Sequence, residues 1–270
     1  MTPPSPPPAR RRIPGLLAGV PVTQAIVIAT VACWLVDLIP GVELGRLLGF
    51  TPFLAAVEPW RALTVMLVHA DVMHLLFNMI GVLLFGGFVE RALGHARYLL
   101  VYVLSGLGGS AAVLLLSAPF DPSWYTLHVG ASGALFGLLG VVLTPTRALD
   151  RNWGGAAGFL VINVIYSLMA PGISWESHAG GLVVGFALGC AALLPAARAH
   201  RRGSAESAIP PDVDLDEPMR PPRPSPVPPS TPRPTPLASR LWFWIAAAIL
   251  VATMALAALP GLQASALMAG

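Results

Sequence analysis

The chain lacks lysine and is poor in charge and in cysteine. Charged residues make up 11% of its 270 residues, against about 25% in a typical soluble domain, and this shortage excludes an ordinary soluble fold. All 16 basic residues are arginines, and they are spread over short segments, so no basic patch predicts nucleic-acid binding. Cys33 and Cys190 lie in apolar runs without a CxxC or Cys/His pair. No metal site, redox centre or cofactor is therefore predicted.

The chain is instead rich in long apolar runs, since 55% of its residues are hydrophobic. Runs of about 18–20 apolar residues are long enough to cross a bilayer as helices. They lack the two-residue alternation of membrane β-barrels. The sequence therefore predicts an all-α polytopic membrane protein. We expect seven spans, at residues 20–39, 73–91, 97–117, 130–144, 154–170, 177–197 and 241–259.

Composition divides the chain into five parts. We expect a flexible basic tail at 1–19, a six-span core at 20–197, a Pro-rich linker at 198–239, a seventh helix at 240–260 and a short tail at 261–270. In this topology only Arg46 and Arg61 lie on one side of the membrane, so the N-terminus and the linker are predicted to be cytoplasmic and the C-terminus external. The linker is compatible with partner binding or with mere spacing. Segment 40–72 becomes an external loop with an amphipathic pattern typical of the membrane interface.

Polar side chains inside spans are costly and mark candidate sites. His74 and Asn78 are four residues apart, hence on one helix face, where they would bind a neighbouring helix or act as hydrogen-bond donors. In "GASGALFG", Ser132 lies between Gly130 and Gly133. Such small residues favour close helix packing, but a serine in the first turn of a helix is also near free N–H groups that favour an oxyanion.

A third polar position, His178, begins the sixth predicted span. Gly181 and Gly185 follow it at helical spacing, so another helix can approach closely and bring a partner within reach of His178. The topology puts all three polar positions at the outer ends of their helices. A serine beside a neutral imidazole forms a nucleophile and a general base. Asp121 and Glu176 are expected in loops, which favours a dyad over a triad.

Five motifs in order give the chain a resemblance to the rhomboid family of intramembrane serine proteases, over residues 20–197. They are "WR" at Trp60–Arg61, "HLLFN" with His74 and Asn78, "GFVERALG" with Glu90, "GASG" with Ser132, and "HAGGLVVG" with His178.

The resemblance implies a Ser132–His178 dyad in a water-filled cavity open to the outside of the membrane. We expect this membrane to be a bacterial cytoplasmic membrane. It implies an oxyanion hole formed by the Ser132 backbone, His74 and Asn78, and a Phe136 ring that packs on His178. Supporting roles are implied for Gly130, Gly133, Gly181, Gly185, Trp60, Arg61 and Glu90. Substrates would be transmembrane proteins cut in or near the bilayer. The six-span core plus one helix is a known variation of this fold.

Two other interpretations of these polar residues have less support from the sequence. A catalytically inactive rhomboid-like protein would bind transmembrane helices, although such relatives usually lack the serine or the histidine. A transporter or channel would need an acidic path through the bundle, which the sequence does not have. No role is predicted for the remaining histidines, His69, His95, His128 and His200.

Overall fold

The computed structural model describes residues 18–144, 158, 161 and 173–207, with side chains of the last helix as far as residue 193. These residues form helices joined by loops, and among them the one β-type pairing is an isolated bridge between Phe50 and His128. The α-helices are α1 (Pro21–Asp37), α2 (Leu44–Leu48), α3 (Arg61–Thr64), α4 (Val72–Gly81), α5 (Gly87–Leu93), α6 (His95–Leu116), α7 (Pro122–Tyr125), α8 (Ser132–Val142) and α9 (Trp175–Ser207). Short 3-10 turns lie at Pro52–Leu54 and Val65–Leu67, and a π-helical turn at Val82–Gly86 joins α4 to α5.

Three of these helical stretches are long and apolar enough to cross a membrane. They are the continuous α4–α5 helix Val72–Leu93, α6, and the Trp175–Leu193 part of α9. The predicted all-α polytopic membrane fold is thus confirmed. Helix α1 matches the predicted first span but is shorter, with Pro21 at its first turn, where proline has no N–H to lose. The predicted seventh span lies outside the described residues, as does the fifth apart from residues 158 and 161. Of the predicted linker 198–239, residues 198–207 are described and continue α9 as helix, so the sixth helix runs ten residues beyond its predicted end at 197.

Helix α8 differs from the predicted fourth span. It has 11 residues, about 16 Å of helix, which is too short to cross a layer about 30 Å thick. Every residue from Gly133 to Val142 is buried, and α8 packs mainly between α6 and α9. An all-apolar helix needs such an enclosed place. The sequence overestimated its length because Gly130 and Ala131 continue the apolar run but precede the helix.

Glycines bring α8 and α9 into backbone contact. A Cβ built on Gly181 would lie 2.7 Å from the carbonyl carbon of Gly133, and one on Gly185 would lie 2.5 Å from the Cα of Gly137. Such distances leave no room for any side chain at Gly181 or Gly185. Helix α6 joins the same contact, because Gly109 of α6 and Gly133 of α8 both face Ser177 of α9. Small residues at a helix interface allow this approach in membranes.

The segment between α1 and α4 is folded. The guanidinium of Arg61 is buried, donates to the carbonyl oxygens of Arg46 at 2.6 Å and Gly49 at 3.0 Å, and pairs with the Glu58 carboxylate. One side chain thus closes the turn that contains α2 and the first 3-10 helix. The neighbouring residue Trp60 is 53% exposed. It supports the fold through its backbone carbonyl oxygen, which accepts hydrogen bonds from the N–H groups of Leu63 and Thr64.

Glu90 caps α1 from another helix. Its carboxylate accepts the N–H groups of Val22 at 3.0 Å and Thr23 at 2.8 Å, and the Thr23 hydroxyl at 2.6 Å. Because Val20 at the N-cap offers no side-chain acceptor, this carboxylate satisfies donors that a helix start leaves free. The negative charge also complements the helix dipole. Glu90 therefore fixes α1 against the α4–α5 helix.

Candidate active site

Ser132 is the first residue of α8. The first hydrogen bond of this helix runs from the Leu135 N–H to the Ala131 carbonyl oxygen at 3.0 Å. The N–H groups of the first turn, Ser132 included, have no carbonyl partner within the helix, as at every helix start. Ser132 is partly exposed, whereas the rest of α8 is buried. Ser132 thus places a hydroxyl next to backbone N–H groups that the helix leaves free.

His178 lies in the first turn of α9. Ser174 precedes this helix, and its hydroxyl accepts the Ser177 N–H at 3.4 Å, while its carbonyl oxygen accepts the His178 N–H at 3.3 Å. The imidazole of His178 is 9% exposed and stacks on Phe136 with ring centroids 4.1 Å apart and planes 7° from parallel. The stacking expected from the sequence is therefore present, even though Phe136 carries no hydroxyl.

Gly130 brings Ser132 and His74 to one point. Its φ is +122°, a conformation that favours glycine. A Cβ built on it would lie 2.8 Å from Nε2 of His74 and 3.8 Å from Oγ of Ser132. Because Gly130 has no side chain, the His74 ring can pack directly against its backbone. His74 is held there because Asp71 caps α4 by accepting the His74 N–H at 2.8 Å.

Asn78 lies one turn after His74 on the same face of α4. Its side-chain amide is 4% exposed and donates to the His74 carbonyl oxygen at 2.9 Å. An amide NH₂ has two N–H donors, so one donor is not used by this bond. The Asn78 Oδ1 atom is buried without a hydrogen-bond partner among the described residues. His74 and Asn78 therefore form one polar face of α4 beside the start of α8.

One of the two acidic residues near the site does not lie where the sequence predicted. Glu176 was expected in a loop but is in the first turn of α9, where a carboxylate favours the helix N-terminus, and it accepts the Ser174 hydroxyl at 3.1 Å. Asp121 lies in a loop, as predicted, and caps α7 by accepting the Ser123 N–H at 2.9 Å. Burial lowers the pKa of His128 below its usual range, and the charge of Glu176 opposes that shift.

The sequence assigned no role to His69, but the structure brings it to the site. His69 is 4% exposed, its Nε2 accepts the Ala131 N–H at 3.3 Å, and its ring meets the His74 ring edge-on with centroids 5.0 Å apart. The five-residue spacing from His74 falls across the start of α4, so helical periodicity gave no signal. Trp60 and Arg61 lie in the segment between α1 and α4, and Glu90 lies in α5. All three act on the fold through the contacts described above.

Comparison with known proteins gives the same family as the motifs. A family model of the Rhomboid domain matches residues 56–195. The chain is 36% identical over 177 residues to the putative rhomboid protease YdcA of Bacillus subtilis, covering 62% of this chain and 86% of that protein. It is 35% identical over 151 residues to the rhomboid protease GluP of the same organism, covering 54% and 28%.

Plant relatives also match. The mitochondrial RHOMBOID-like protein 6 of Arabidopsis thaliana is 39% identical over 142 residues, covering 49% of this chain and 43% of that protein. The chain thus spans less than half the length of that relative and of GluP. The matched region contains Trp60, Arg61, His74, Ser132 and His178. This protein is a multi-pass membrane protein of the rhomboid family.

Proposed function

We propose that this protein is an intramembrane serine endopeptidase that uses a Ser132–His178 dyad. The observation that carries the proposal is the stack of His178 on Phe136 at 4.1 Å. Phe136 is four residues after Ser132 in α8, and residues at this spacing share one helix face. The imidazole of α9 therefore packs on the same face of α8 that carries the serine.

Each group then has a defined chemical role. The neutral imidazole of His178 accepts the hydroxyl proton as Ser132 Oγ attacks the peptide carbonyl carbon, and it returns the proton to the leaving amine. Water hydrolyses the acyl-enzyme in the second half of the reaction. The oxyanion is stabilised by the Ser132 N–H, by His74 and by the second N–H of Asn78. Loss of one such donor costs about 100- to 1,000-fold in rate.

The substrates proposed are membrane proteins, cut in or near a transmembrane segment. Support comes from the fold, because the starts of α4, α8 and α9 meet at the site and these helices belong to a membrane bundle. The arginine distribution supports an external position for that end, with the N-terminus and linker in the cytoplasm. A bacterial cytoplasmic membrane is the proposed location, with residues 240–260 as a seventh helix.

The test is labelling of the full chain in detergent with a fluorophosphonate probe. Wild type and Ser177→Ala should be labelled, and Ser132→Ala and His178→Ala should not. Ser177 is the matched control because its hydroxyl lies beside Gly133, the residue after Ser132. Cleavage of a single-span model substrate in liposomes should follow the same order. Equal labelling of wild type and Ser132→Ala would refute the dyad. An unlabelled wild type that still binds the model span would indicate the inactive, helix-binding alternative.

A further inference from the structure

His69 connects the loop before α4 to the residue that precedes Ser132. It follows the 3-10 turn Val65–Leu67 and lies two residues before the Asp71 cap of α4. Its Nε2 accepts the N–H of Ala131, 62 positions further along the chain, at 3.3 Å. Ala131 is the N-cap residue of α8 and is fully buried. This bond therefore acts on the peptide group that enters the helix at Ser132.

The bond fixes the protonation state of His69. An Nε2 that accepts an N–H carries no proton, so the proton of the neutral ring is on Nδ1. Protonation of Nε2 would place two donors face to face. Burial, together with the neighbouring His74, lowers the pKa of His69 to about 3, while the charge of Asp71 opposes the shift. His69 is therefore a neutral acceptor at neutral pH.

Two more contacts hold the same short segment. Phe50 and His128 exchange backbone hydrogen bonds of 2.9 and 2.7 Å, and the Gly130 N–H donates to the Val65 carbonyl oxygen at 3.0 Å. Residues 128, 130 and 131 are thus each bound to the segment between α1 and α4. Of these contacts, the His69 bond is the one that depends on a side chain. It is also the one nearest to Ser132.

We propose that His69 is a positioning residue for the oxyanion donors. Its Nε2 holds the Gly130–Ala131 peptide, and with it the first turn of α8, so that the Ser132 N–H keeps its direction. Its ring edge restricts His74 on the other side of Gly130. This inference rests on the proposed function, but it also makes a structural claim that does not require activity.

The test compares two substitutions that separate the acceptor from the ring. His69→Gln keeps an acceptor oxygen near the place of Nε2, and His69→Phe keeps an aromatic ring without an acceptor. In the full chain in detergent, hydrogen exchange of a peptide covering residues 129–133 should rise about tenfold in His69→Phe and stay near wild type in His69→Gln. For a single-span substrate, His69→Phe should lower kcat about 10- to 100-fold with KM within about threefold, and His69→Gln should recover most of kcat.

Val68→Ala is the control for general destabilisation, because Val68 is 1% exposed in the same loop. It should lower the unfolding midpoint without the fall in kcat of the folded fraction. Equal kcat losses in His69→Phe and His69→Gln, unchanged exchange in His69→Phe, or an equal kcat loss in Val68→Ala would each overturn the positioning role. Absence of fluorophosphonate labelling in wild type would instead refute the proposed function, and the exchange measurement would still test the His69 bond.

Discussion

The contact between Gly133 and Gly181 offers a direct test of how packing supports the site. Gly133 follows Ser132, and Gly181 lies one turn after His178. A Cβ on Gly181 would lie 2.7 Å from the carbonyl carbon of Gly133 and 3.1 Å from its Cα, whereas ordinary contact begins at 3.4 Å. The obstacle is backbone, so no side-chain rotation relieves the clash. In Gly181→Ala the two helices must separate next to the proposed dyad.

The expected effect is large on activity and moderate on stability. Relief of the clash requires a shift of α9 away from α8 by roughly 1 Å, and misplacement of that size can cost about 100-fold in rate. Overpacking of a tight interface typically destabilises by about 1–3 kcal/mol. We therefore expect the rate of fluorophosphonate labelling at Ser132 to fall about 100-fold. The unfolding free energy in mixed micelles should fall by about 1–3 kcal/mol.

Gly45→Ala is the matched control. Gly45 lies in α2, and a Cβ there meets only Asp37 Oδ2, at an ordinary 3.8 Å, so alanine should stabilise this helix by up to about 1 kcal/mol. Its labelling rate should equal that of wild type. A Gly181→Ala protein that is labelled at the wild-type rate would refute the link between the glycine contact and the site, whatever its stability.

Three further substitutions test separate contacts. Phe136→Leu should lower kcat about tenfold through loss of the aromatic stack, while Phe136→Tyr keeps the ring and should remain within about threefold of wild type. The measurement is kcat for a single-span substrate, and equal values for the two variants would contradict a role of the ring. Glu90→Gln should lower the unfolding free energy by about 2 kcal/mol through the α1 cap, with the labelling rate of folded protein unchanged. For His69, the pKa falls from 6.5 in the unfolded chain to about 3 in the fold, so the unfolded chain binds the extra proton between these values. Stability should therefore fall by up to about 2 kcal/mol as pH drops from 8 to 5, and His69→Gln should show a smaller drop. A parallel pH profile in both proteins would contradict that pKa.

The sequence predicted those parts of the fold that depend on apolar length and glycine spacing. The second and third spans were predicted at 73–91 and 97–117, and the helices are Val72–Leu93 and His95–Leu116. Apolar length was misleading at α8, because a run of small apolar residues does not show where its helix begins. Only the positive φ of Gly130 and the N-cap at Ala131 fix that point.

The grouping of the site followed from topology, but its supports did not. His74, Ser132 and His178 were expected at one level because their helices begin on one side. His69 escaped notice because its partner is a backbone N–H 62 residues away, and neither periodicity nor residue type encodes such a bond. Glu176 was misplaced by two residues, since α9 begins at Trp175 and not near Ser177; helix ends are the least certain feature of a sequence pattern.

Two different kinds of restraint meet at Ser132. On the α9 side, the distance is set by backbone contact between glycines, which leaves almost no freedom and is insensitive to solvent. On the loop side, the segment 128–131 is held by hydrogen bonds to a loop outside the spans, and one of these bonds requires a neutral His69. The direction of the Ser132 N–H therefore depends on the loop, and a loop held by a few hydrogen bonds opens at lower free energy than packed helices. The distance between Ser132 and the α9 backbone depends on the helices. Loop substitutions should therefore weaken oxyanion stabilisation before they separate α8 from α9, and glycine substitutions should act in the opposite order.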